Sequence, residues 1–318
     1  MKEVLNKGIC FFILFLLFTG LFPLKLQGGN EWSILKGPYL GQKPPGMTPE
    51  LFAPGIISTD ASEGSSGFLN KASVFLFQRI IDRKSHTYIL RQENNRWTDP
   101  VLIPFWEQMV HNGDFTISPD EKTMIYQVKK ESNGRLDSNI WKVEFQNGEW
   151  GPCLEFSPPI NTPYDESFAS ESRNGNLYFF SRRPGGVGKS DLYVCYFTNG
   201  QYSDPINLKE LNTPHHEWDP FIAPDESYLI FCSTKPGGMG QDDLYISFRN
   251  HENQWCEPIH LDNGFNSSRS DNRPYVTRDG LYFFFTSTQR GNRDIYWVDA
   301  KIIENVKPEE LNPSKARE

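Results

Sequence analysis

The chain repeats itself about every 53 residues over most of its length. An aromatic residue followed by proline returns as Trp97/Pro100, Trp150/Pro152, Tyr202/Pro205 and Trp255/Pro258, so the aromatic advances by 53, 52 and 53 positions. A second register appears as Asn139-Ile140-Trp141, Asp191-Leu192-Tyr193, Asp243-Leu244-Tyr245 and Asp294-Ile295-Tyr296, with Tyr88 standing 53 residues before Trp141. A third is Phe115, Phe168, Phe221 and Tyr275, which leads into turns such as Ser118-Pro119-Asp120, Ala223-Pro224-Asp225 and Arg278-Asp279-Gly280. Apolar runs at Val74–Phe77, Met124–Tyr126, Leu177–Phe180, Leu229–Phe231 and Leu281–Phe285 keep the same pace. A fixed period of this length marks one supersecondary unit per repeat. Between residues 56 and 303 no long stretch free of Pro and Gly holds a helical period, so each unit reads as four short antiparallel strands, A to D. Four strands per repeat with aromatic punctuation describe a propeller blade, and the expected fold is an all-β propeller.

These motifs resemble the TolB-like (WD40-like, PD40) β-propeller repeat of exported bacterial envelope proteins. The third repeat carries the likeness best, in Ser181-Arg182-Arg183-Pro184-Gly185-Gly186-Val187-Gly188-Lys189-Ser190-Asp191-Leu192-Tyr193, and the fourth renews it from Ser233 to Tyr245. The first repeat departs, with Asn70-Lys71-Ala72-Ser73 in place of the Pro-Asp turn, and the second has Asn139 in place of Asp. The resemblance implies a propeller of the cell envelope that binds other envelope proteins or peptidoglycan-associated partners.

Five B and C strands are legible but only four D strands, and an open edge would invite aggregation. The missing strand has to come from elsewhere. Asn30-Glu31-Trp32 resembles the Asn147-Gly148-Glu149-Trp150 lead into a D strand, so residues 31–36 are expected to complete a fifth blade. Six blades is the alternative. The domain division is then residues 1–27 as signal peptide or N-terminal anchor, 28–55 as closing strand and proline-rich strap, 56–305 as propeller, and 306–318 as tail. Blades fall at about 56–103, 104–156, 157–208, 209–261 and 262–305. The proline-rich segment, with Pro38, Pro44, Pro45, Pro49 and Pro54, is unsuited to a central strand.

Between Lys7 and Lys25 lie seventeen mostly apolar residues, long for a secretory core and short for a bilayer span. Either way the body is expected outside the cytoplasm, periplasmic or extracellular, and attached to a membrane only if residues 8–24 are retained. The net charge of −8 argues against a nucleic-acid partner, whose phosphates need clustered Lys and Arg. Cys153, Cys195, Cys232 and Cys256 fall in no metal-binding spacing and read as apolar fillers rather than a disulfide pair.

In an up-and-down blade the D-to-A and B-to-C connections share a face. Asp114, Glu166, Asp219 and Asp271 stand one to four residues before the strand A aromatics and are expected to converge at the channel mouth. Converging carboxylates can act as acid and base, with Glu166 and Asp219 the alternative catalytic pair, hold a divalent cation, or cap the turns of their own blades. His215-His216-Glu217-Trp218-Asp219 occurs once, and His215, His216 and Asp219 are the alternative metal ligands. Trp218 suits stacking on a sugar. Arg182, Arg183 and Arg273 complete the ligand-binding candidates, and Asp191, Asp243 and Asp294 read as caps of their glycine-rich loops. No cofactor is expected beyond a possible cation at the mouth. Three functions remain open: a non-catalytic module recognising an envelope protein or glycan through its channel face, a carbohydrate-active enzyme (a glycoside hydrolase or a metal-dependent lyase), and a sensor of a small ligand or cation through the same mouth.

Overall fold

A computed structural model describes residues 34–103, 112–132, 135–262 and 264–311. The expected leader, residues 28–33, His111 and the last seven residues lie outside that range. Five four-stranded antiparallel units stand in chain order, and the molecule is a five-bladed β-propeller. Strands A to C are Ser62–Leu69, Val74–Ile81 and Lys84–Glu93 in blade I, and Asn112–Ile117, Thr123–Ser132 and Arg135–Gln146 in blade II. They are Glu166–Glu171, Leu177–Ser181 and Asp191–Cys195 in blade III, Glu217–Ile222, Tyr228–Ser233 and Asp243–Phe248 in blade IV, and Asp271–Val276, Tyr282–Ser287 and Asp294–Asp299 in blade V.

The Trp-Pro landmark marks an interruption in strand D. In blade I, Trp97 pairs with the end of strand C, opposite Gln92, and only after Pro100 does Val101–Leu102 return to pair with the middle of it. Blade II repeats this with Glu149–Trp150 and Leu154–Glu155. Proline falls where no ladder donor is required, which is why an outer strand tolerates it.

Ring closure comes from the N-terminal side, but from a different segment than residues 31–36. Glu50–Leu51 pairs antiparallel with strand C of blade V, Glu50 opposite Trp297 and Leu51 opposite Tyr296. Lys36 instead bridges Arg96 on the outside of blade I, with the Trp97 N–H donating to the Leu35 carbonyl. The closing strand thus lies inside the proline-rich strap. Being outermost, it needs only one partner, and Pro49 and Pro54 flank it without breaking a ladder. Anchorage comes from packing: Phe52 is fully buried, with its ring centroid 5.0 Å from both Phe284 and Trp297 and 5.4 Å from Phe75. Tyr39 packs edge-on to Phe68 and Tyr282 and hydrogen-bonds Asp279, so the strap joins blades V and I into one core.

Three further clusters lie between successive blades, for example Ile125, Ile140, Ile160, Leu177, Phe179 and Tyr193 between blades II and III. Trp97 is buried, whereas Trp150, Tyr202 and Trp255 are half-buried at the blade rims. Among the described residues the one α-helical segment is Ile302–Val306, after blade V. Cys153, Cys195, Cys232 and Cys256 are free, Cys195 and Cys232 buried and the other two half-buried.

Candidate functional site

Strand A of every blade carries a β-bulge near its start, visible as a register shift in all five A–B pairs. That bulge separates the acidic residues into two tiers, where the sequence suggested one converging set. The first tier is Glu63, Glu166, Glu217 and Asp271, each fully buried just before the bulge. Each carboxylate accepts from the backbone N–H and the hydroxyl of the residue four positions earlier. For Glu166 the donors are Thr162 N at 2.8 Å and Oγ1 at 2.6 Å; for Glu217 they are Thr213 at 2.8 and 2.6 Å, and for Asp271 Ser267 at 2.7 and 2.9 Å. Glu63 uses Thr59 in the same way and pairs with Arg79 at 3.0 Å. Ser181 and Ser233 add a third donor to Glu166 and Glu217, each at 2.7 Å. Burial raises the pKa of all four, that of Glu63 to about 7. These groups hold the D-to-A connection of their own blade. The signal for them was Thr/Ser-x-x-x-Glu/Asp, which also finds Glu63, a residue the aromatic series overlooked.

Asparagines in the same connections do related work. Asn161, Asn212 and Asn266 each accept from the N–H and donate to the carbonyl of Ile140, Leu192 and Leu244, at 2.8 and 2.9, 2.8 and 3.0, and 2.7 and 3.0 Å. Each stitches a connection to strand C of the blade before it.

The second tier belongs to the channel. Phe168, Asp219 and Arg273 share the positive-φ bulge position in blades III, IV and V, at 43°, 51° and 54°. Asp114 lies in the bulge of blade II and Ser65 in that of blade I. Across the channel Arg273 forks onto Asp114, Nε to Oδ1 at 2.6 Å and Nη2 to Oδ2 at 2.9 Å, while Ser65 Oγ donates to Asp114 at 3.3 Å. The Arg273 N–H reaches Asp219 Oδ2 at 3.3 Å. Burial works against ionisation of Asp114, but the Arg273 guanidinium overrides it and holds the carboxyl below its usual range. Asp219 is pushed up to about 7 by burial, against the pull of Arg273 and with Asp114 adding repulsion. Among Ser65, Phe115, Phe168, Arg273 and Tyr275 lies a small space of about 10 Å³.

The histidine loop lies at the seam of blades III and IV. His216 Nδ1 is 2.9 Å from Ser190 Oγ, and its ring stacks on Trp218 at 5.0 Å and 23°. Burial, with the nearby charges of Arg182 and Lys189, lowers the His216 pKa. Trp218 is half-buried and meets Phe180 edge-on. Among the described residues no three His, Cys, Asp or Glu side chains cluster as metal ligands would. The alternative set His215, His216 and Asp219 is not brought together, because Asp219 turns into the channel while His216 packs against Ser190.

Arg183 serves its own blade, donating to the Ile160 carbonyl at 2.7 Å and to Glu166 at 3.3 Å with its guanidinium over Phe179 and Tyr193. Arg182 pairs with Asp165 at 3.0 Å on the exposed rim. Asp191 and Asp243 cap their loops, Asp191 accepting from Val187 N and Gly188 N at 2.6 and 2.8 Å. A Cβ on Gly186 would lie 1.8 Å from the Asp191 carboxylate, so the loop closes only with glycine there. Asp294 departs from the expected series: the blade V loop is three residues shorter, both carboxylate oxygens lack a hydrogen bond, and Arg290 stands 3.7 Å away. Between blades II and III a cleft of about 510 Å³ opens, lined by Asp137, Asn139, Glu155 and Phe156.

No family model matches the chain, and no curated protein does. Solved structures do. An endo-arabinase from Bacteroides thetaiotaomicron superposes with a TM-score of 0.51 at 13% identity, covering 76% of this chain and 96% of that one. A TolB protein from Agrobacterium tumefaciens gives 0.46 at 14%, covering 76% of each, and TolB from Acinetobacter baumannii gives 0.43 at 15%, covering 77% and 59%. At such identities the likeness concerns the fold alone. What fold and site define is a five-bladed propeller with a charged channel. Its neighbours include TolB proteins.

Proposed function

We propose that the protein is an exported, non-catalytic recognition module whose loop-rich channel face binds a glycan or protein partner of the cell envelope. The observation that carries this reading is the engagement of the acidic residues. Glu166, Glu217 and Asp271 are committed to backbone and hydroxyl donors of their own connections, and Asp114 is neutralised by a two-point contact with Arg273. The rim, by contrast, presents an accessible surface: Val187 and Met239, at matching tips of the glycine-rich loops, are 42% and 57% exposed, with Trp218 between their blades. Export rests on the apolar segment before residue 25. None of the helices among the described residues is long and apolar enough to cross a membrane.

One observation favours the carbohydrate-active alternative. Asp114 and Asp219 share a ring while their environments drive their pKa values apart, the pattern of an acid and its ionised partner. A single screen separates the two. Oligosaccharides and envelope glycans are offered to wild type, to Asp219→Asn, and to Val187→Asp with Met239→Asp. Saturable binding without turnover, lost in the rim variant, is the expected result. Turnover that disappears in the carboxylate variant would establish the enzyme instead.

A further inference from the structure

Two arginines influence each other electrostatically at the channel face, and the surrounding acceptors satisfy one of them. Arg273 is fully engaged by Asp114 and by Asn272 Oδ1, the latter at 2.6 Å. Arg293 ends the shortened loop of blade V and is fixed by its backbone. Its carbonyl accepts from Glu63 N at 2.7 Å and its N–H reaches Ser62 Oγ at 3.4 Å, which holds it at the seam where the ring closes. Its side chain has no hydrogen bond or ion pair with any described residue, and its Nε is buried without an acceptor. Arg273 is its dominant electrostatic neighbour. That like charge, reinforced by burial, brings the Arg293 pKa down to about 10, even though Asp114, Asp219 and Asp242 contribute in the opposite sense.

Those three aspartates are poor counter-ions for Arg293. Asp114 is already taken by Arg273, and burial favours the neutral form of Asp219 and Asp242. Buried donors without acceptors are rare in folded proteins, and one placed beside a second cation points to a missing anion. We propose that the top of the channel is an oxyanion subsite, in which Arg293 forks onto a carboxylate or phosphate group of the ligand above the Arg273–Asp114 pair. The proposal rests on the reading of the channel face as a recognition surface and names the charge of what it recognises. A planar five-donor guanidinium held by its backbone suits two-point contact with either oxyanion.

The test is thermal denaturation of the full chain with galacturonate, galactose or inorganic phosphate, for wild type, Arg293→Met and Arg293→Lys. Galacturonate or phosphate is expected to raise the wild-type melting temperature saturably, and galactose is not. Arg293→Met should weaken the effect at least tenfold, and Arg293→Lys, which keeps the charge and loses the fork, should weaken it less. A response to galacturonate alone identifies a carboxylate ligand, and to phosphate alone a phosphate-bearing one; both support the subsite. Without ligand, Arg293→Met should melt at or above the wild-type temperature, because an unpartnered cation is removed. A lower melting temperature in both variants would make Arg293 structural and overturn the proposal. So would the absence of any anion effect, or an effect equal in all three proteins. If neither anion binds while the glycan screen is positive, the subsite fails and the recognition reading stands.

Discussion

At the scale of single residues, hydrogen bonding and burial decide what each acidic group does. Glu217 is fully buried and takes three donors from Thr213 and Ser233, so Glu217→Ala leaves them unsatisfied and should cost about 2–4 kcal/mol in urea denaturation, with ligand binding at the rim retained on the folded fraction. Asp219 titrates oppositely from an ordinary surface carboxylate. Its pKa is near 7 in the folded chain and lower in the unfolded one, so folding takes up a proton and Asp219 lowers stability as pH rises from about 4 to about 7. Asp219→Asn should therefore gain stability relative to wild type at pH 8 and lose that advantage at pH 4, which paired melting curves would reveal. The residue types at the mouth were legible in the sequence, and so was the capping by Asp191 and Asp243. The two tiers were not. A β-bulge inserts a residue without altering the repeat length noticeably, so Glu166 and Asp219, both two residues before a phenylalanine, end on different sides of it. Phe168 itself occupies the bulge position that is Asp219 in blade IV.

At the scale of strands and loops, loop length determines whether the Asp before strand C has partners. The ten-residue steps from Ser181 to Asp191 and from Ser233 to Asp243 leave room for two amides to turn inward; the seven-residue step from Ser287 to Asp294 does not. Asp191→Asn is expected to destabilise by about 1–3 kcal/mol, whereas Asp294→Asn should be neutral or stabilising, because burial already disfavours its charge. Equal losses in the two variants would refute this. The strap illustrates the opposite limit of legibility. A two-residue edge strand carries no period, and Glu50–Leu51 pairs with blade V because Phe52 is buried behind it. Phe52→Ala should cost about 3–5 kcal/mol, with urea unfolding remaining a single transition.

At the scale of the whole molecule, repeat period, blade count and closure from the N-terminal side were all readable, since each depends on landmarks that recur five times or on an edge left unpaired. The function of the central face was less so, because its charged groups are set by contacts between blades far apart in sequence, such as Arg273 with Asp114, 159 positions away. A ring makes every blade dependent on its neighbours, and the seam between blades V and I is held by residues that precede blade I. The most direct test compares unfolding of a chain beginning at residue 34 with one beginning at residue 56, followed by circular dichroism and tryptophan fluorescence. Loss of the cooperative transition in the shorter chain is the predicted result. An unchanged midpoint without the strap would contradict closure by Glu50–Leu51, and with it the shared rim on which the binding site depends.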